Sequence, residues 1–179
     1  MGIIFVAGVH AVGKTTACIH TASLLSLAHY SASDLIRSEK ASAISQSGKA
    51  VIDVENNQAL LIRGAHKAFE QHCGQFILDG HFTLLKPDGE IEAISVDVYR
   101  ALFLDGIVVY HDEPKAIAER LKDRDKAISD PATIDRHQRF ELERAHLVAT
   151  ELSITIRLLE AFDGTGLVQL VPEWMRKAK

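Results

Sequence analysis

Apolar residues dominate, without alternation, at three places along the chain: Ile3 to Ala7, Gln75 to Leu78 and Gly106 to Tyr110. A short run with no polar face suits a strand covered on both sides, as in parallel sheets flanked by helices. A weaker run at His29 to Ser31 fits another short strand, and Leu167 to Val171, closed by Pro172, fits a last one. Helical spacing fills the intervals. Lys14 to about Leu27 forms one helix, with Ala17, Leu24, Leu25 and Ala28 as its apolar contacts, and Asp34 to Lys40 begins another. Val54 to His72 carries a stripe of Leu60, Leu61, Ile62, Ala65 and Phe69 and is closed by Gly74. Val96 to Phe103 fits a short helix. Asp112-Glu-Pro114 places an acidic cap and a proline where a helix with inner residues Ile117, Ala118 and Leu121 begins. A long helix is expected from roughly Thr133 to Phe162, with Ala145, Val148, Leu152 and Leu159 on one stripe and Gly164 and Gly166 as its stop. Ser42 to Lys49 reads as a connection, Lys86-Pro-Asp-Gly as a turn and Ser129-Asp-Pro131 as a break. The basic tail from Met175 to Lys179 is expected to fray.

Alternating strands and helices predict an α/β fold: one domain over residues 1–179, with a parallel five-stranded sheet flanked by helices on both faces. Ligands of such sheets bind beyond the carboxyl ends of the strands, where Gly8, Asp79 and His111 fall. The length of 179 residues fits one domain, and 47% apolar residues suffice for a core that is mostly aliphatic. A net charge of −4 argues against a protein devoted to a nucleic-acid backbone. Two cysteines, Cys18 and Cys73, match no disulfide framework or metal spacing, and suit a reducing compartment. No leader and no membrane-length apolar run are visible, so a cytoplasmic protein is expected.

The chemistry begins at Gly8-Val9-His10-Ala11-Val12-Gly13-Lys14-Thr15, which fits the Walker A pattern at every fixed position. Glycines let backbone N–H groups turn inward around phosphates, and the helix that follows points its positive end at them. Lys14 would place a charge on the β- and γ-phosphates, and the Thr15 hydroxyl is available to magnesium. A nucleoside triphosphate, ATP with Mg2+, is therefore expected at Gly8 to Thr16. Asp79 ends a buried strand, where a carboxylate either serves the metal or caps the next turn. Ser33 and Asp34 suit a helix start, and Arg37 one turn on either forks onto a phosphate or is a surface arginine. Arg120, Arg124, Arg136, Arg139 and Arg144 crowd the region after the third strand. Arginines there suit a transferring phosphoryl group, with the polar segment at about 122–140 as a lid. Balanced by Glu119, Asp123, Asp125, Glu141 and Glu143, they equally suit a solvated helix face. The nine histidines form no metal set, and only His10 in the loop and His81 after Asp79 stand out by position.

These residues resemble the nucleoside monophosphate kinases, and among them the archaeal-type adenylate kinases, over nearly the whole chain. The resemblance rests on the phosphate loop with Thr15-Thr16, on Ser33-Asp34-Leu-Ile-Arg37, on Leu78-Asp79-Gly80-His81, on Pro114 to Arg120 with Arg124-Asp125, and on Glu143-Arg144-Ala145. It implies an acceptor-binding segment at about 30–72, with Ser33, Asp34, Arg37, Gly80 and His81 on the acceptor monophosphate. It further implies Thr15 and Asp79 at magnesium, and Lys14, Arg120, Arg124 and Arg144 around the transferring group. His10-Ala11 stands where the archaeal-type loop has Pro-Gly, and Glu143-Arg144 where it has Asn-Arg. The expected reaction is transfer of the γ-phosphate of Mg·ATP to a nucleoside monophosphate. A kinase for another small molecule, or a nucleotide-binding regulatory or defence module without kinase activity, remains open, since fold does not fix function.

Overall fold

The computed structural model describes residues 2–47, 57–126 and 129–177. Five parallel strands form the sheet: β1 (Ile3–Ala7), β2 (Ala28–Ser31), β3 (Phe76–Asp79), β6 (Leu104–His111) and β7 (Thr155–Glu160), in the order β2-β3-β1-β6-β7. The three central strands are the three runs expected from sequence, and β1 is buried at all five positions. Alternate side chains of β1 feed two cores. Ile3, Phe5 and Ala7 face one cluster with Leu61, Ala65, Tyr99 and Val148, whereas Ile4 and Val6 face another with Cys18, Ile117, Leu167 and Trp174.

Helices cover both faces. α2 (Ala32–Ser47), α3 (Asn57–Gln71), α4 (Val96–Ala101) and most of α6 (Pro131–Leu152) lie over the first cluster. α1 (Lys14–Leu25), α5 (Pro114–Asp125) and α7 (Gly164–Lys177) lie over the second. An antiparallel hairpin, β4 (Thr83–Leu85) with β5 (Ile91–Ala93), follows β3 and is closed by the expected turn at Lys86 to Gly89.

Four expectations are corrected. The long helix ends at Leu152, capped by Ser153 in the left-handed conformation at φ 55°. The chain then forms the edge strand β7, where only Ile156 and Leu159 are partly covered and the other side chains are exposed, so it shows no buried apolar run. Leu167 to Val171 is helix, not strand: Leu167, Val171 and Trp174 recur at helical spacing and bury one face of α7, with Pro172 inside it. Leu24 is 60% exposed, and Ala28 belongs to β2. Finally, Ser42 to Ser47 continues α2, because α2 packs along α3 through Leu35 and through Glu39. Gly48 and Lys49 of the expected connection, and the part of the expected 54–72 helix before Asn57, lie outside the described residues.

Candidate nucleotide site

The loop from Gly8 to Gly13 joins the end of β1 to the start of α1. Gly8 sits at φ 139°, and a Cβ there would lie 2.6 Å from the Tyr110 carbonyl oxygen, so the loop leaves the sheet through a position only glycine fills. Gly13 caps α1 at φ 100°, which turns the first amides of the helix toward the loop. Val9 and Val12 are buried and anchor the loop on the second core.

Beside the loop lies a cavity of about 550 Å³ lined by His10, Ala11, Gly13, Lys14, Thr15, Thr16, Arg120, Asp123, Arg124 and Phe162. Lys14 is 6% exposed; its ammonium donates to the Val9 carbonyl at 3.4 Å and to His81 Nε2 at 3.4 Å. Burial lowers its pKa, with the Asp79 and Glu141 charges acting the other way. Arg120 on α5 pairs with Asp112, lies 5.0 Å over the Phe162 ring, and has its Nη1 buried with no hydrogen-bond partner among the described residues. Arg120 and Arg124 therefore bring a cationic wall to face the loop. The cavity suits a polyanion with a planar group beside Phe162.

Behind the loop, Asp79 at the end of β3 is 4% exposed and accepts a 2.7 Å hydrogen bond from His29 Nε2 on β2. Gly80 donates to the Val6 carbonyl. His81 stacks against His10 with ring centroids 4.4 Å apart. Burial, then the charges of Lys14, His10 and His137, holds the His81 pKa well below the ordinary imidazole range. His81 is thus neutral at neutral pH and accepts from Lys14.

Glu141 is a member of this site that the sequence did not single out beyond its role as a balancing acid. It is 1% exposed in the middle of α6, and its carboxylate accepts from the Gly8 amide at 3.3 Å, the Phe82 amide at 2.9 Å, and the Thr83 amide and hydroxyl at 2.7 and 2.5 Å. One buried side chain thereby ties the start of the phosphate loop to the segment after β3. Desolvation raises its pKa, and the Thr83 and Phe82 hydrogen bonds oppose the rise. His137, one turn earlier, bonds the same Thr83 hydroxyl at 3.1 Å. A signal existed in the sequence: a glutamate with Ala145 and Val148 on its own face lies on the inner stripe of the helix.

The other expected site residues are dispersed. Ser33, Asp34 and Arg37 are exposed on the first turns of α2, and Arg37 pairs with Asp34 at 2.7 Å. Arg144 on α6 is taken up elsewhere: its guanidinium donates to the Ile94 carbonyl at 2.6 and 3.0 Å. Arg136 donates to the Gly89 carbonyl and Arg139 pairs with Asp135. Of the expected lid, 122–125 belongs to α5 and 131–140 to α6, while 127–128 lies outside the described residues. A second cavity of about 560 Å³ opens beyond His10 and Arg124, both of which line it too, between the hairpin at Leu85 to Gly89, Ile117 and Leu121 of α5, and Thr133, Ile134 and His137 of α6.

Thr15 is exposed at the cavity and Asp79 lies behind the loop, so hard oxygen donors of the kind magnesium takes are at hand. Among the described residues no helix is long and apolar enough to cross a membrane.

A family model for an AAA domain matches residues 7–137. Among solved structures, a gluconokinase from Sinorhizobium meliloti 1021 is similar at 16% identity and a TM-score of 0.54, covering 99% of this chain and 93% of that one. A sugar kinase from Janibacter sp. HTCC2649 is similar at 17% identity and a TM-score of 0.55, with coverages of 98% and 95%. An uncharacterised protein from Eubacterium ventriosum matches at 9% identity and a TM-score of 0.54, covering 98% of each chain. At these identities the likeness is one of fold, the phosphate-loop kinase fold. No curated protein matches the chain.

Proposed function

The chain belongs to the AAA domain family, and from that premise we propose that it is a Mg·ATP-dependent phosphotransferase acting on a small acceptor. The observation that carries this reading is the loop cavity: Lys14, Arg120 and Arg124 converge there with the amides of α1, and Arg120 Nη1 has a donor to spare. ATP places its triphosphate along Gly8 to Thr16 and its base beside Phe162. Thr15 and Asp79 would hold magnesium, which would supply neutralisation of the β- and γ-phosphate charge. Lys14 and Arg124 stabilise charge on the transferring group. An acceptor oxygen forms a bond to the γ-phosphorus while the bond from that phosphorus to the β,γ-bridging oxygen breaks, and ADP leaves.

The first acceptor reading is a nucleoside monophosphate gripped through Ser33, Asp34, Arg37, Gly80 and His81. Its phosphate oxygen is already an anion, so the site needs no base. The second cavity favours another reading, in which a small hydroxyl compound lies between the β4–β5 hairpin and α6 and meets the γ-phosphate at His10 and Arg124. A hydroxyl must lose a proton, and the Asp79 carboxylate, not a His81 whose buried, cation-flanked site resists protonation, is the group suited to take it.

Coupled measurement of ADP formation over a panel of nucleoside monophosphates, nucleosides, sugars and sugar acids tests the proposal. The expected result is an acceptor that raises turnover well above the rate with ATP alone. If none does, the chain is not a small-molecule kinase. With an acceptor in hand, Arg37→Ala raises its KM at least tenfold on the first reading. On the second, Ile134→Trp, which fills the hairpin cavity, does so and Arg37→Ala does not.

A further inference from the structure

Behind the phosphate loop, three side chains from three elements converge: Cys18 of α1, His29 of β2 and Asp79 of β3. One ligand atom of each lies within 4.8 Å of the others. Cys18 is fully buried, and the side chains of His29 and Asp79 are 14% and 6% exposed. We propose that Cys18, His29 and Asp79 form a binding site for a thiophilic divalent cation of zinc's class.

The chemistry of the donor set is specific. A thiolate, an imidazole nitrogen and a carboxylate oxygen are the three ligand types zinc takes, and three protein ligands leave a fourth position for water. Magnesium and calcium have no use for sulfur. In a tetrahedral zinc site, with metal–ligand distances of about 2.0–2.3 Å, ligand atoms stand roughly 3.3–3.7 Å apart. The observed cluster meets this spacing with movements on the order of 1 Å, and the His29–Asp79 bond at 2.7 Å opens to admit the ion. On binding, the Cys18 thiol releases its proton to solvent and the sulfur becomes a ligand; no electron is transferred. The framework is rigid. Tyr30 and Ser31, next along β2, are fixed in register against Leu78 and Asp79 of β3, and Cys18 lies one helical turn beyond Lys14.

The cation competes with catalysis. Asp79 bound to zinc beside Cys18 is withdrawn from magnesium at the loop, so the ion acts as an inhibitor. That consequence rests on the phosphotransferase reading; the occupancy of the site does not.

The experiment titrates Co2+ into purified full-length protein and follows the near-ultraviolet thiolate-to-cobalt charge-transfer band. Zn2+ is then added to displace it. The expected result is one equivalent of cobalt with an intense band that zinc abolishes. The band is lost in Cys18→Ser and kept in Cys73→Ser, which removes only the exposed cysteine. His29→Gln keeps the band and weakens cobalt binding at least tenfold. Circular dichroism and a melting curve establish that each variant is folded. Absence of a charge-transfer band in the folded wild-type protein at millimolar cobalt overturns the proposal. So does a band that survives Cys18→Ser and disappears in Cys73→Ser. If zinc binds as described but no acceptor is ever phosphorylated, the metal site stands and the kinase reading falls.

Discussion

Replacing Glu141 with alanine should be the most damaging single change outside the loop itself. The Glu141 carboxylate is 1% exposed and accepts four hydrogen bonds, three from backbone amides of Gly8, Phe82 and Thr83 and one from the Thr83 hydroxyl. Alanine leaves three buried amides without an acceptor, and each unsatisfied group costs about 1–3 kcal/mol. Water entering the new space recovers part of this, and the hydroxyl can turn to His137. A net loss of roughly 3–5 kcal/mol follows. For a domain of this size that lowers Tm by roughly 6–20 °C. Glu141→Gln retains one carbonyl oxygen for Gly8 and Phe82 but turns an NH2 donor against the Thr83 amide. It should cost about half as much, since one donor pair is left facing another. The assay is urea unfolding with thermal melts, alongside nucleotide titration, because Gly8 opens the loop. Nucleotide affinity should fall in both variants. A loss below about 1 kcal/mol for Glu141→Ala would refute the view that this carboxylate ties the loop to the segment after β3.

Other expectations follow from single contacts. Phe162→Ala removes an exposed ring stacked under Arg120 at 5.0 Å, so KM for ATP should rise about five- to tenfold while stability changes by less than about 0.5 kcal/mol. An equal effect on stability and KM, seen by melts and initial rates, would remove Phe162 from the site. Gly106→Ala places a Cβ 2.2 Å from Trp174 Cε3, and forcing α7 off the sheet should cost about 2–3 kcal/mol in chemical denaturation. The depressed His81 pKa sets a pH dependence of stability. In the unfolded chain the imidazole binds its proton near pH 6.5, while the folded site resists it, so the unfolded state holds more protons below that pH. Stability is therefore full above about pH 6.5 and declines as pH falls, and His81→Asn should flatten the slope of the urea midpoint between about pH 7.5 and 5.5. His137, lowered by burial, acts in the same direction and leaves a residual slope.

The interior of the sheet was legible because a strand buried on both faces writes a continuous apolar run. Ile3 to Ala7 did so, and the loop that follows is fixed residue by residue by the needs of backbone amides around phosphate. The edge strand β7 was not legible. Its residues are half exposed, and Leu152 and Leu159 lie seven apart, a spacing that helix and chance share. The helix before it ends on Ser153 in a left-handed conformation more usual for glycine. Leu167 to Val171 looked like a strand because five residues are too few to separate a buried helix face from a buried strand, until Trp174 is seen to continue the helical spacing. At the site, residues contiguous with the loop were legible, and those joined to it only by folding were not. Glu141 reaches Gly8 across 133 positions, and His29 reaches Asp79 across 50. Neither pairing leaves a local mark. Arg144 shows the reverse: it matched a pattern in sequence, yet its guanidinium is held at Ile94.

Transfer of labelled γ-phosphate tests the central claim most directly. The protein is incubated with Mg·ATP labelled in the γ-position and the acceptor panel, and products are separated by chromatography. The account predicts a labelled phosphate ester or anhydride of one acceptor, formed in step with ADP and absent with Lys14→Ala. Label found only in ATP and inorganic phosphate, whichever acceptor is offered, would contradict it.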